Sequence, residues 1–183
     1  VERFQLGYAP DAWDELVRAA RVRKWDERGL LAAGLLKARD SGGSYDALRH
    51  RLIFPILDRL GRPIAFGGRK LRDEDEPKYL NSPETALFHK SRALYGIHAA
   101  SQAIMKSRTA VIVEGYTDVI ACHQAGFENV VATLGTSLTK EHASELRRYA
   151  ERVVLVFDGD EAGMKAADRA IEVFLTAEVD VGI

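Results

Sequence analysis

The sequence predicts a two-part α/β and α+β architecture: a basic α+β part (residues 1–107), then an α/β part with a parallel sheet (108–183). Three observations predict it. From residue 108 short apolar runs alternate regularly with helical patterns, the mark of βαβ units with right-handed crossovers. Before that, RLIFPILDRLGRPIAFGGRKL (51–71) reads as a hairpin preceded by helices. Charge also divides there: residues 1–107 hold 19 Lys and Arg against 14 Asp and Glu, and residues 108–183 hold 7 against 13. A basic surface beside an acidic one suits a polyanion held next to a cation, although ordinary surface scatter gives differences of this size too.

Composition narrows the classes. With 46% apolar residues the 183-residue chain is not a disordered one. No apolar run approaches the ~20 residues a membrane span needs. The start, VERFQLGYAPDAW, has neither an initiator Met nor the layout of a signal peptide, so a piece of a longer protein is expected. Cys122 is the sole cysteine, which excludes an internal disulfide and a cysteine-cluster zinc site within the chain. A cytoplasmic protein is expected, with no membrane partner.

In chain order, residues 11–36 have helical spacing, with Asp11 as the N-cap, Trp13, Leu16, Val17 and Ala20 on one face, and Gly29 as a break before a second short helix. Trp13 and Trp25 are expected to pack these helices. Asp40–Ser44 is a loop. Leu52–Leu57 and Pro63–Phe66 are the hairpin strands. Pro55 suggests an edge or a bulge in the first, and Gly67-Gly68 is expected to end the second where backbone approaches closely. Asp73–Glu76 is an acidic loop, and Pro77 to Pro83 is extended and rigid. A helix follows over 97–106. Then come strand 110–114, helix 117–125 with Gly126 past its end, strand 129–133, helix 140–150 capped by Thr139, strand 153–157, helix 161–177, and a fourth strand over 179–183.

The chemistry gathers at two strand ends. In VIVEGYTDVI (111–120) and VVLVFDGDEAG (153–163) an apolar run stops abruptly at acids and glycines, and a helix follows. Ligands of open α/β sheets bind at that edge. Glu114, Asp158 and Asp160 would crowd like charge there unless a cation sits among them, and hard oxygen ligands select Mg²⁺ or Mn²⁺. Asp118 falls in the first turn of the next helix. Taken singly, Asp118 and Asp160 read more readily as helix caps and Glu114 as a solvated strand end; together, after equivalent strands, they point to divalent-metal chemistry on phosphates. Gly135-Thr136-Ser137 lies on the same edge, where main-chain N–H groups can hold phosphate or a tight turn suffices.

This arrangement resembles the Toprim domain, a Rossmann-like parallel βαβ fold shared by DnaG-type primases, topoisomerases and some nucleases. EGYTDVIA, ATLGTSLT, VFDGDEAG, RLIFPI, FGGR, PKYLNSPET and FHKS, in that family's order over nearly the whole chain, resemble the catalytic core of bacterial DnaG-type primases. The resemblance implies template-directed synthesis of short RNA primers on single-stranded DNA. Glu114, Asp158 and Asp160 would be metal-binding and catalytic, with Asp118 in support. Arg69, Lys78 and Lys90 would meet template or nucleotide, with Arg49, Arg51 and Arg92 as companions and Tyr116 able to stack on a base or sugar. The implied partners are single-stranded DNA, ribonucleoside triphosphates, the RNA–DNA hybrid and, through a domain not carried here, the replicative helicase at the replication fork. Zinc belongs to another absent domain. The family places a further acidic pair after the fourth strand; the chain stops at Ile183, so a partial metal site with weak or no activity of its own is expected. The rival expectations are another Toprim enzyme, a topoisomerase or nuclease; a single-strand-binding module without activity; and a structural scaffold. Cys122 is expected to be packed, His89 to lie at the surface, and His50, His98, His123 and His142 show no ligand spacing.

Overall fold

The computed structural model describes residues 2–177 and 179–182, and tertiary contacts divide the chain into two units, residues 1–56 with 63–88 and residues 57–62 with 89–183. In the first unit a 3-10 turn, Glu2–Phe4, is followed by β1 (Gly7–Ala9), α1 (Glu15–Arg23), α2 (Glu27–Ala32), β2 (Leu36–Ala38), β3 (Ser44–Asp46), β4 (Arg51–Leu57), β5 (Pro63–Lys70) and β6 (Tyr79–Asn81). The sheet order is β1-β4-β5-β6, and β2 pairs with β3 in a separate hairpin whose tip is residues 39–43; Ser44, expected in the loop, opens β3 and pairs with Ala38.

The helical spacing over 11–36 resolves into two helices and a strand. Asp11 is not the cap. Asp14 holds the N-cap position with no side-chain cap bond, and the first turn is satisfied from a distance: the buried Asp46 carboxylate of β3 accepts from Leu16 N at 2.7 Å and Val17 N at 3.1 Å. A negative group at a helix N-terminus is favourable both as a cap and against the dipole. The break falls at Lys24, in the left-handed region at φ 56°, rather than at Gly29, which lies inside α2. Asp26 caps α2, accepting from Arg28 N and Gly29 N. Both tryptophans remain exposed. Trp13 is 58% exposed, and the Arg49 guanidinium lies 3.9 Å from its ring centroid.

β4 and β5 form the expected hairpin. β1 covers only Arg51 to Ile53, so Pro55 stands beyond its short neighbour, and β4 is interior at its start and an edge further on. That reconciles a proline with a sheet interior. β5 does not stop at the glycines: Gly67, Gly68 and Arg69 pair with Asn81, Leu80 and Tyr79 of β6. The expected close approach is there, because a Cβ on Gly68 would stand 2.9 Å from Cδ of Arg51.

The second unit alternates as the sequence predicts: α3 (Ile97–Ser107), β7 (Thr109–Val113), α4 (Tyr116–Gln124), β8 (Val130–Ala132), α5 (Lys140–Arg147), β9 (Arg152–Leu155), α6 (Glu161–Thr176) and β10 (Asp180–Gly182). Ile183, expected in the last strand, lies outside the described residues. The sheet is parallel, in the order β10-β9-β7-β8. Ile112, Val131, Val153, Leu155 and Phe174 fill its core, each fully or almost fully buried. Burying such a side chain contributes roughly 1.5–3 kcal/mol, so this layer holds the strand ends firmly. Among the described residues no helix is long and apolar enough to cross a membrane.

Candidate functional site

Strand order explains where the acids meet. The chain leaves β7 toward β8 on one side, then returns past β7 to β9 and on to β10 on the other. The direction of winding reverses at β7 and β9, and a crevice opens at the carboxyl ends of such a pair. Glu114 follows β7, and Asp158 follows β9. The ladder runs on past β9, Val156 N donating to Ile112 O at 2.9 Å, and then Asp158 N donates to Oε1 of Glu114 at 2.7 Å. The carboxylate of one strand end thus holds the turn that carries the other two acids.

Asp118 and Asp160 have local partners as well. Gly115, at the N-cap of α4, donates its N–H to Oδ2 of Asp118 at 3.0 Å. Asp160 is the N-cap of α6, and its Oδ1 accepts from Gly163 N at 2.7 Å. All four carboxylates are exposed. A cavity of about 230 Å³ beside them is lined by Glu114, Gly135, Thr136, Ser137 and Phe157 among others, so the turn after β8 opens onto the same space as Glu114. Among the described residues no three His, Cys, Asp or Glu side chains stand together as a ligand cage. The donors are exposed carboxylate oxygens at adjoining strand ends. They fit an ion that keeps most of its water and takes one or two carboxylates plus phosphate, as Mg²⁺ does, and not an enclosed site.

The basic residues fall into different surroundings. Arg69 and Lys78 flank Tyr79 on the β5–β6 pair, 6.0 and 5.9 Å from its ring centroid. Arg49 lies over Trp13 and donates to Asp46 O at 2.7 Å. Lys90 is half-buried in the second unit, and exposed Arg92 borders an open cleft with Lys140, Glu141, Ser144, Glu145 and Arg148. Arg51 faces inward. It is buried, and its guanidinium donates to Pro77 O at 2.8 Å and to Gly68 O and Glu76 O at 3.3 Å, which ties the acidic loop to β5. Arg51→Met should cost on the order of 3 kcal/mol, since three carbonyls lose their donor; urea unfolding of the variant measures it. Tyr116 is only 5% exposed and packs edge-on against Tyr95, ring centroids 4.7 Å apart.

One residue that ligand spacing passes over stands out. His142 is fully buried at the start of α5 and bonds to the main chain of Lys90 and Ala93. A signal was present: Thr-x-x-His stands where a capping box carries Thr-x-x-Glu.

The chain matches the model of the DNA primase catalytic core, N-terminal domain, over residues 1–101 and a Toprim domain model over residues 108–183. It is 48% identical to the DNA primase of Deinococcus radiodurans over 183 residues, covering 99% of this chain and 32% of that protein. It thus spans about a third of the length of the curated relatives it matches. Among solved structures it resembles the Aquifex aeolicus primase zinc-binding and RNA polymerase domains, with a TM-score of 0.91 and 38% identity over 97% of this chain and 44% of that one. It also resembles a DnaG primase catalytic domain bound to single-stranded DNA, with a TM-score of 0.85 and 45% identity over 94% and 53% of the two chains.

Proposed function

The chain belongs to the DNA primase catalytic-core family, and on that premise we propose that it carries the template-handling part and much of the metal-binding part of an enzyme that joins ribonucleotides into short primers on single-stranded DNA at the replication fork, in the cytoplasm. The single observation that carries the reading is the bond from Asp158 N to Glu114, which brings the two acidic strand ends to one crevice. Residues 1–107 serve as the basic, template-side subdomain and residues 108–183 as the Toprim subdomain.

In this reading Glu114, Asp158 and Asp160 supply the carboxylates for Mg²⁺ or Mn²⁺, one or two to an ion, and Asp118 keeps the start of α4 and the Glu114-Gly115 corner in place through its bond to Gly115 N. When bound, the ion supplies a lowered pKa for the attacking hydroxyl and neutralises charge on the phosphates. The chain's own residues do the rest. Glu114 orders the Asp158–Asp160 turn, and Gly135, Thr136 and Ser137 after β8 line the same cavity as Glu114. Arg69 and Lys78 follow the template backbone, with Tyr79 between them as a stacking surface. Arg49, Lys90 and Arg92 add positive charge, while Arg51 and Tyr116 serve from inside, by holding the acidic loop and packing the start of α4. Ribonucleoside triphosphates are the second substrate and the RNA–DNA hybrid the product. Helicase contact belongs to parts of the whole protein outside this chain.

The test is primer synthesis and oligothymidylate binding by the whole protein that carries this chain. Arg69→Glu with Lys78→Glu should weaken binding on every template sequence alike and flatten the slope of log K against log salt by about 1.4 or more, two phosphate contacts on a single strand. A slope equal to wild type would remove these residues from the template path.

A further inference from the structure

His142 is a buried titratable group with no part in the function argued above, and its bonding admits one arrangement. Nε2 lies 2.9 Å from Lys90 O and 3.2 Å from Ala93 O. Carbonyls only accept, so Nε2 carries the proton. Nδ1 lies 3.2 Å from Thr139 N and 3.1 Å from Thr139 Oγ1; the main-chain N–H can only donate, so Nδ1 accepts it and is unprotonated. The Thr139 hydroxyl closes the cluster: it accepts from His142 N at 3.2 Å and donates to Ser91 O at 2.6 Å. The ring is thus neutral, in a single tautomer, and joins the first turn of α5 to the main chain of residues 90–93. A glutamate in its place would still take Thr139 N–H, as in a standard capping box, but would have no proton for the two carbonyls. A histidine at this position therefore does something a cap does not require.

We propose that His142 is a positioning residue: it fixes residues 90–93 against α5 so that Lys90 and Arg92 are presented to a phosphate group. This rests on the reading of Lys90 as a phosphate contact. The phosphate belongs either to the template backbone or to a nucleoside triphosphate, and the two are told apart by using oligothymidylate and ATP as separate probes. The charged group acting on the ring is Glu141 on α5; Lys90 and Arg92 stand on the tied segment, with His89 just before them in sequence. Burial holds the His142 ring below the ordinary histidine value, against the opposing effect of the Ala93 and Lys90 carbonyls and of Glu141. The unfolded chain therefore takes up the proton first. The stabilisation is complete above about pH 6.5 and is lost as pH falls from there toward the folded-state value.

The experiment compares wild type, Lys90→Ala, His142→Glu, His142→Gln and the double variant Lys90→Ala/His142→Glu in the whole protein, each checked by thermal unfolding from pH 8 to pH 5. Lys90→Ala should weaken one of the two probes about fivefold, and His142→Glu should weaken the same probe by a similar factor. The double variant should be no worse than either single one, because both changes remove the same contact. His142→Gln, whose amide offers an acceptor and a donor, should restore binding and remove the share of acid destabilisation due to the ring. Wild-type affinity in a folded His142→Glu protein, or a double variant weakened by the product of the two factors, would overturn the proposal. If Lys90→Ala weakens neither probe, the reading of Lys90 is what has failed, and the proposal falls with it.

Discussion

Asp158→Asn together with Asp160→Asn should lower primer synthesis by about a thousandfold while single-strand binding persists. Two carboxylates are lost from the crevice, and metal stabilisation of a phosphoryl transition state is worth several kcal/mol; about 4 kcal/mol corresponds to that factor. Asparagine is the right substitution because Asp160 also caps α6 through Gly163 N, and asparagine caps as well as aspartate. The fold should therefore survive, and the loss should be one of chemistry. Binding of oligothymidylate should stay level or tighten slightly, since two negative charges leave the neighbourhood of a polyanion. Primer yield on a single-stranded template and oligonucleotide affinity, measured on the same preparation, check both halves. Unchanged primer yield would sink the assignment of the metal site.

Gly163→Ala should damage the same site without touching a carboxylate. A Cβ there would lie 2.1 Å from Asp158 O and 3.0 Å from Asp158 C, main-chain atoms that cannot swing aside. To accept it, the Asp158–Asp160 turn has to move, although Glu114 holds it at Asp158 N and Gly163 itself holds Asp160. The expected cost is about 1–3 kcal/mol of stability, with a further loss of primer synthesis because the acids are displaced. Gly159→Ala, between Asp158 and Asp160 in the same turn, is the control. Nothing lies within 4 Å of its Cβ, and it should unfold and synthesise like wild type. Equal activity for both alanine variants would show that the turn is not held in the way described.

Much of this site was legible in the chain because its signals are local. An apolar run that stops at an acid, a glycine after it and a helical repeat beyond are all read within about a dozen residues, and the second unit's four strands and helices stand close to where the pattern puts them. The first unit was less legible for the converse reason. Its first helix is capped by Asp46, about 30 residues further on, so Asp11 looked like the cap although the helix begins later. Leu36 has helical spacing with its neighbours, yet it pairs across a hairpin with Asp46. Which of two local patterns wins is decided there by a partner from elsewhere.

The same division holds for function. Sequence alone determined which residues can do the chemistry: carboxylates at strand ends and cationic side chains in short motifs. Tertiary structure decided which of them meet and which face inward. Glu114 reaches Asp158 across 44 residues because the strand order puts β7 beside β9, information that no local window contains. Arg51 and Tyr116 carry the same chemical groups as an exposed arginine and tyrosine, but packing spends them on main-chain carbonyls and on the ring of Tyr95. Burial depends on what the rest of the chain brings alongside, so the kind of group could be read at each position, and its use only once its neighbours were in place.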